Sequence, residues 1–160
     1  MRRSAVLLAR AVAIVAAAIA LQRLCLEPYR GNLVLRDVLL RSTAAQSADQ
    51  QRASILARAN LQDLARVEQS RRLDPAWYML YAANCGILER WSDAADTYTR
   101  ALLIDDRPEI YIDRGLVFLR LGRTDAAIAD MVTAARFDPA VIEQLEGELG
   151  ARVAAAVPLR

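Results

Sequence analysis

The sequence predicts an all-α protein. One N-terminal transmembrane helix leads into a short stack of helical hairpins, closed by a C-terminal capping helix. Three observations carry this expectation. The chain opens with an apolar segment long enough to cross a bilayer. Two later stretches repeat each other at a spacing of 33 residues. Helix start and stop signals recur between them.

The apolar segment comes first. "MRRSAVLLARAVAIVAAAIALQRLCLEPYRG" begins with Arg2 and Arg3 and then turns apolar. Ser4 to Leu26 spans 23 residues, in which Arg10, Gln22 and Arg23 are the strongly polar members besides Ser4. A helix of that length covers about 34 Å, enough for a bilayer core. The uninterrupted run Ala11–Leu21 covers only about 16 Å and falls short. A spanning helix therefore has to accommodate Arg10, whose side chain leans toward the N-terminus and snorkels beside Arg2 and Arg3. Leu7, Leu8, Val12, Ile14, Val15, Ile19, Leu21 and Leu24 are the expected lipid-facing residues, with Tyr29 as an interfacial anchor. The alternative is a cleavable signal peptide, for which Ala18-Ile19-Ala20 supplies a small-x-small site. Apolar character continuing through Leu21, Leu24, Cys25 and Leu26 favours the uncleaved anchor. Arg23 and Leu24 ahead of Cys25 disfavour a lipoprotein signal. The leading arginines favour a cytoplasmic N-terminus, hence a single-pass inner-membrane protein with a periplasmic soluble part, although Arg23, Arg30, Arg36 and Arg41 nearly balance them.

Pro28 and Gly31 in "EPYRGN" read as helix stop signals. "LVLRDVLLR", Leu33 to Arg41, then reads as a short apolar helix at the membrane surface or under the next domain. Ser47 before Gln50, and Asn60 before Asp63, read as caps that open helices near Ala48–Ala59 and Leu61–Arg72. Asp74-Pro75 ends the second and starts another.

From there the repeat takes over. "LERWSDAADTYTRALLID" (Leu88–Asp105) and "LGRTDAAIADMVTAARFD" (Leu121–Asp138) share Leu88/Leu121, Arg90/Arg123, Ala94/Ala127, Ala101/Ala134 and Asp105/Asp138. Tyr78 pairs with Tyr111, Ala82 with Gly115, Tyr98 with Met131, and Ile104 with Phe137. A period of this length with mid-unit turns indicates stacked helix pairs. Small residues at Ala82, Gly115, Ala94 and Ala127 permit close approach, and the large partners fill the gaps. Glu89-Arg90 and Gly122-Arg123 mark the turns. Trp91 reads as a core anchor.

These residues resemble the tetratricopeptide repeat (TPR) family. The second unit is similar through Tyr111, Gly115, Phe118, Gly122, Ala127, Met131, Ala134 and Pro139. The first is similar through Tyr78, Ala82, Cys85, Ala94, Tyr98 and Ala101, with Asp106 where Pro is usual and Trp77 competing with Tyr78 for the aromatic slot. The apolar segment, the helix signals and the resemblance, which covers Pro75–Pro139, together divide the chain into a membrane anchor or uncleaved signal-like segment (1–27), a juxtamembrane segment (28–43), a degenerate repeat or packing helix pair (44–74), two repeats (75–139) and a capping helix with tail (140–160). The resemblance also implies that the first helix of each unit lines a concave face. That face maps to Met79, Ala83, Gly86 and Ile87, then Glu109, Ile112, Leu116, Leu119 and Arg120. It is mainly apolar and lacks the cluster of Lys, Asn and Arg that clamps a carboxylate. A hydrophobic partner is the expected occupant; Leu33–Leu40 or the C-terminal helix is the alternative.

Composition narrows the function. Hydrophobic residues make up 55% of the chain, above the roughly 45–50% of soluble domains. All 21 basic residues are Arg, which together with abundant Ala reads as the codon bias of a GC-rich, bacterial genome. A net charge of +2 without a basic stripe argues against nucleic acid. The chain has no His, which removes the commonest general base and metal ligand. Phosphate-loop, dinucleotide and nucleophile-elbow motifs are missing. Cys25 and Cys85 form no CxxC pair and read as buried free thiols, with a disulfide as the alternative. No enzyme, cofactor or metal is therefore expected. The expected role is a scaffold bound to lipid through its N-terminal helix and to proteins through its repeats. It would serve as an accessory or assembly subunit of a larger membrane complex, photosynthetic and respiratory complexes being examples. The runner-up is a freestanding envelope adaptor for export or polysaccharide assembly.

Overall fold

Helix continues without a break from the apolar segment into the soluble part. The computed structural model describes residues 2–157 except 144 and 146, and the side chains of residues 2–11 and of Cys25 lie outside the described set. Helix α1 (Arg2–Leu21) passes through a π-helical turn (Gln22–Leu26) into α2 (Glu27–Gln46). The expected stop at Pro28 and Gly31 is thus overturned, and Leu33–Arg41 is not a separate helix. Pro28 stands in the first turn of α2, where its missing N–H is tolerated. The π turn has already shifted the register there: the Glu27 N–H donates to the Gln22 carbonyl, five residues back. Gly31 is buried because the Arg71 guanidinium lies across it, where a Cβ would collide. Arg71 donates to the Pro28 carbonyl and, at 3.1 Å, to Asp74.

All remaining elements are helices, with no strand among the described residues: α3 (Gln50–Arg71), α4 (Pro75–Ile87), α5 (Trp91–Leu102), α6 (Pro108–Arg120), α7 (Thr124–Phe137), α8 (Ala140–Glu143) and α9 (Gly147–Ala156). The heaviest packing is between α2 and α3, α4 and α5, and α6 and α7, each an antiparallel pair. The expected pair of helices within 44–74 is corrected: α3 is one helix, and its partner is α2. Asp49, not Ser47, caps it, accepting from the Arg52 N–H at 2.9 Å. Asn60 is no cap but a buried mid-helix residue. Its amide donates to Ser42 Oγ at 3.1 Å and Asn84 Oδ1 at 2.9 Å, while Asn84 donates to Ser42 Oγ at 3.1 Å and to the Leu80 carbonyl at 2.7 Å. A buried amide calls on the chain to supply partners; the Asn60 nitrogen finds them on α2 and α4 while its Oδ1 is left without one, and the helix runs on through Asn60.

The 33-residue spacing is geometric as well as chemical. Helix α6 begins and ends 33 residues after α4, and α7 begins 33 after α5. Pro75 and Pro108 open the equivalent helices. Both close with the same turn. Arg90 N–H donates to the Cys85 carbonyl at 2.9 Å and Arg123 N–H to the Phe118 carbonyl at 2.8 Å, six-to-one bonds of the Schellman type. The residue at the corner is left-handed in each, with φ 59° at Glu89 and 71° at Gly122. Glycine takes that conformation freely and glutamate does not.

Small residues let the pairs close. Ala82, Ala94, Ala101, Ala127 and Ala134 are fully buried. A Cβ on Gly115 would come within 3.3 Å of the Ala127 carbonyl. Tyr98 and Met131 fill the core as expected. The large residues at the helix starts differ from expectation. Trp77 and its equivalent Ile110 are the buried ones, while Tyr78 and Tyr111 are half-buried. For Trp77 the cause is α3, whose Leu64 carbonyl accepts the indole N–H at 2.9 Å; Ile110 is buried with Ala82, Ala94, Tyr98 and Ala101. Phe137 is not a core filler: it is 53% exposed and stacks on Tyr111 at 6.4 Å. Nor is the C-terminal segment one capping helix. It turns at Gly147 (φ 63°), so α8 and α9 fold separately against α7.

The two left-handed corners make opposite predictions. Glu89→Gly should raise stability and Gly122→Ala should lower it, each by about 1 kcal/mol. Thermal unfolding of the full chain in detergent, followed by circular dichroism, checks this; shifts of one sign would contradict the shared turn geometry.

Candidate functional site

The expected concave-face residues fall into equivalent pairs. Met79 matches Ile112, Ala83 matches Leu116, and Ile87 matches Arg120, each 33 apart. Within a helix they are four residues apart and share one stripe. The centre of each stripe is open: Ala83 is exposed, and Leu116 is 48% exposed. Met79 and Ile87 are half-buried. Arg120 is exposed, with its guanidinium 5.7 Å over the ring of Trp91. Trp91 itself is packed against the core. Arg107 reaches the Met79 sulfur at 3.9 Å and so joins the start of α6 to the start of α4.

Ile112 and Leu119 correct the expectation of a free face. Ile112 packs with Ala134, Ala135 and Val141, beside Ile142 and Leu145. Leu119 packs with Met131, Val132 and Val153, again beside Ile142 and Leu145. The chain's own C-terminal segment therefore covers these two positions. Leu33–Leu40 lies elsewhere: Val34, Leu35 and Val38 pack with Leu64 and Trp77, beside Leu80 and Tyr81. What remains open is a narrow patch around Ala83 and Leu116, bordered by Met79, Ile87 and Arg120.

The membrane set is uniform by contrast. Val12, Ile14, Val15, Ile19, Leu21 and Leu24 are each between 49% and 76% exposed. The Val12–Gln46 helix is long and apolar enough by length and composition to cross a membrane. Leu7 and Leu8 lie outside the described side chains, as does Cys25.

The Arg114–Asp130 pair and Asp113 escaped the sequence reading, whereas Cys85 is the buried free thiol expected. Arg114 makes a two-pronged bond to Asp130 at 2.8 and 2.7 Å and donates to Thr99 Oγ1 at 3.0 Å. It joins α5, α6 and α7, and its guanidinium also sits 5.5 Å from the Phe118 ring centre. An Asp inside the apolar run "AIADMV" was the available signal, since a buried carboxylate needs a partner. Asp113 is partly buried. Burial pushes its carboxyl up from the usual range, the Tyr98 hydroxyl opposes this, and Glu109 adds to the rise. Burial likewise pushes the Tyr98 phenol up, with Asp113 reinforcing it. The Cys85 thiol is free and fully buried. Burial raises it to about 11 against the pull of Arg90, so it is protonated at neutral pH and unsuited to nucleophilic attack.

Arg114 and Asp130 hold α5, α6 and α7 together. Among the described residues no three His, Cys, Asp or Glu side chains converge on a common point. One cleft of about 710 Å³ lies between α7 and α9, lined by Ile128, Val132, Arg136 and Arg152; another of about 250 Å³ beside Tyr78 and Tyr81 has both charge signs on its walls, from Glu68, Arg90, Asp93 and Arg100. The open feature is the apolar patch around Ala83 and Leu116 with Arg120 at its edge. Comparison with known proteins finds no matching family model, no matching curated protein and no matching solved structure.

Asp113 makes a pH-dependent prediction. A raised carboxyl favours folding in its protonated form, so its contribution is present below the usual carboxylate range and is lost as pH rises through the raised value. Asp113→Asn keeps an acceptor for Tyr98 without the charge. Its melting temperature should gain on that of the parent chain as pH rises from about 4 to neutral. A difference independent of pH would show that Asp113 is solvated like any surface carboxylate.

Proposed function

We propose that this chain is a membrane-anchored scaffold of the TPR type, without enzymatic activity, that holds a protein partner at the membrane surface. Its place is as an accessory or assembly subunit of a larger bacterial membrane complex. The observation that carries this reading is the unbroken helix from Val12 to Gln46. One end is an exposed apolar belt, and the other is a structural member of the helix stack. A helix built this way fixes the stack relative to the bilayer, which serves a protein that positions something there.

Two features support a protein partner. The equivalent positions Ala83 and Leu116 are open on successive units, so one extended surface meets them in the same way. Around them lie apolar side chains with Arg120 at the edge, a composition suited to a packed interface with a polar rim. The leading arginines support an N-terminus in the cytoplasm and a stack in the periplasm.

The binding patch is tested with Ala83→Glu combined with Leu116→Glu. Neither side chain is needed for the core, so the variant should stay helical and membrane-bound. Burying a charge at an apolar interface should lower association by a hundredfold or more, on the order of 3 kcal/mol. The readout is co-purification in mild detergent, with size measured by sedimentation. Unchanged co-purification of a folded variant would move the interface elsewhere. A small soluble partner in place of a large assembly would favour the adaptor role.

The anchor is tested separately. The mature chain should keep its N-terminal arginines and stay in the membrane pellet after carbonate washing. Mass spectrometry showing a chain that starts at Leu21 would replace the anchor with a cleaved signal.

A further inference from the structure

The helix pairs alternate in direction, so the stack has two ends with different connections. One end carries the start of α2, the connection between α3 and α4, the connection between α5 and α6, and the end of α7. Contacts tie these together: Arg71 donates to the Pro28 carbonyl, Arg107 to the Met79 sulfur at 3.9 Å, and Tyr111 stacks on Phe137 at 6.4 Å. The opposite end carries the turns at Ser47–Asp49, Glu89–Arg90 and Gly122–Arg123.

The large exposed apolar residues of the connections lie at one end only. Leu103 is 83% exposed, Leu73 78% and Phe137 53%, the first two being the highest values among the large apolar side chains described. Tyr29, at 62%, stands beside them at the start of α2. The opposite turns hold small, polar or charged residues, while Leu88 and Leu121 there are half-buried. A single exposed leucine means little. Two in the connections of one end, with Phe137 closing α7 beside them and none in the turns of the other, define a plane; the other exposed apolar residues of the stack, Leu39, Leu40, Ile55 and Leu116, lie along the sides of α2, α3 and α6.

That plane coincides with the exit of α1. The last turns of α3 come down beside the anchor: Arg66, Gln69 and Ser70 share a cleft with Ile19, Gln22, Arg23 and Glu27. This is the level at which the apolar segment gives way to polar residues. If α1 spans the bilayer, the end of the stack meets its surface.

We infer that this end of the stack rests on the lipid surface, with Leu73, Leu103 and Phe137 inserted at headgroup depth around the anchor. The inference rests on the reading of α1 as a membrane anchor. Charge selects the kind of contact. Arg107 pairs with Asp105 at 2.6 Å and Arg71 with Asp74 at 3.1 Å, and Arg72 and Arg136 are matched in number by Asp106 and Asp138, so neither sign prevails. The contact is apolar and interfacial, of the kind leucine and aromatic residues make at the boundary of headgroups and acyl chains, and it does not require anionic lipid.

The experiment uses the full chain in phosphatidylcholine vesicles, in a Cys25→Ser background, since Cys85 is buried. An environment-sensitive fluorophore is attached in turn at Leu73→Cys, Leu103→Cys, Ser47→Cys and Arg123→Cys. Spin-labelled phosphatidylcholine with a shallow nitroxide serves as quencher. Labels at 73 and 103 should emit at shorter wavelength and be quenched several-fold more than those at 47 and 123, at low and high salt alike. Equal quenching at all four positions, on chains that float with the vesicles, overturns the inference and leaves the anchor intact. Quenching that needs anionic lipid and disappears in salt overturns the apolar contact. A chain that does not float with the vesicles at all removes the anchor and this inference together.

Discussion

The buried junction of Ser42, Asn60 and Asn84 governs how the rest of the molecule is arranged. Each side chain comes from a different helix, and each is sealed from water. A slip of one residue in any of the three helices would leave amide groups without partners, at a cost of about 1–3 kcal/mol apiece. Apolar packing alone tolerates such slips better, because one leucine replaces another at little loss. The junction therefore selects a single register of α2 on α3 and α4. Since α2 continues α1, the same three side chains also decide the direction in which the apolar segment leaves the stack.

The second junction solves the same problem with charge. Where the first unit has Tyr81 and Thr97, the second has Arg114 and Asp130, and the fork between them draws in Thr99 from α5. Paired and hydrogen-bonded, these ions can be desolvated; separated, they could not. The equivalent of Asn84 is Val117, which packs in the apolar core. The two units thus share a backbone plan and differ in what locks it. This explains why the repeat is plain in the turns and small residues and faint elsewhere.

Much of the fold could be read from the residues alone. The helices α4 to α7 follow from the 33-residue spacing, the paired alanines and the two prolines, all of which act locally. Errors arose where a distant partner outweighed a local signal. Pro28 looks like a stop until the π turn and the Arg71 side chain are known. Asn60 looks like a cap because the residues meeting it come from 18 and 24 positions away. Trp77 outranks Tyr78 because α3 covers its side of the helix. The proposed binding stripe shows the same limit. Its periodicity is in the sequence, but the covering of Ile112 and Leu119 depends on how α8 and α9 fold back against α7, which has no counterpart in the repeat.

The shared helix also has a mechanical meaning. Its 35 residues from Val12 onward form a rod of about 52 Å, with a π turn part-way along its length. Once its lower part lies in a bilayer, its tilt follows the thickness of the hydrocarbon layer. The stack is built onto the upper part, so tilting the rod swings the whole stack as a lever swings its load. Membrane thickness would then act as an input to the orientation of the stack, without any ligand and without any change in its internal contacts.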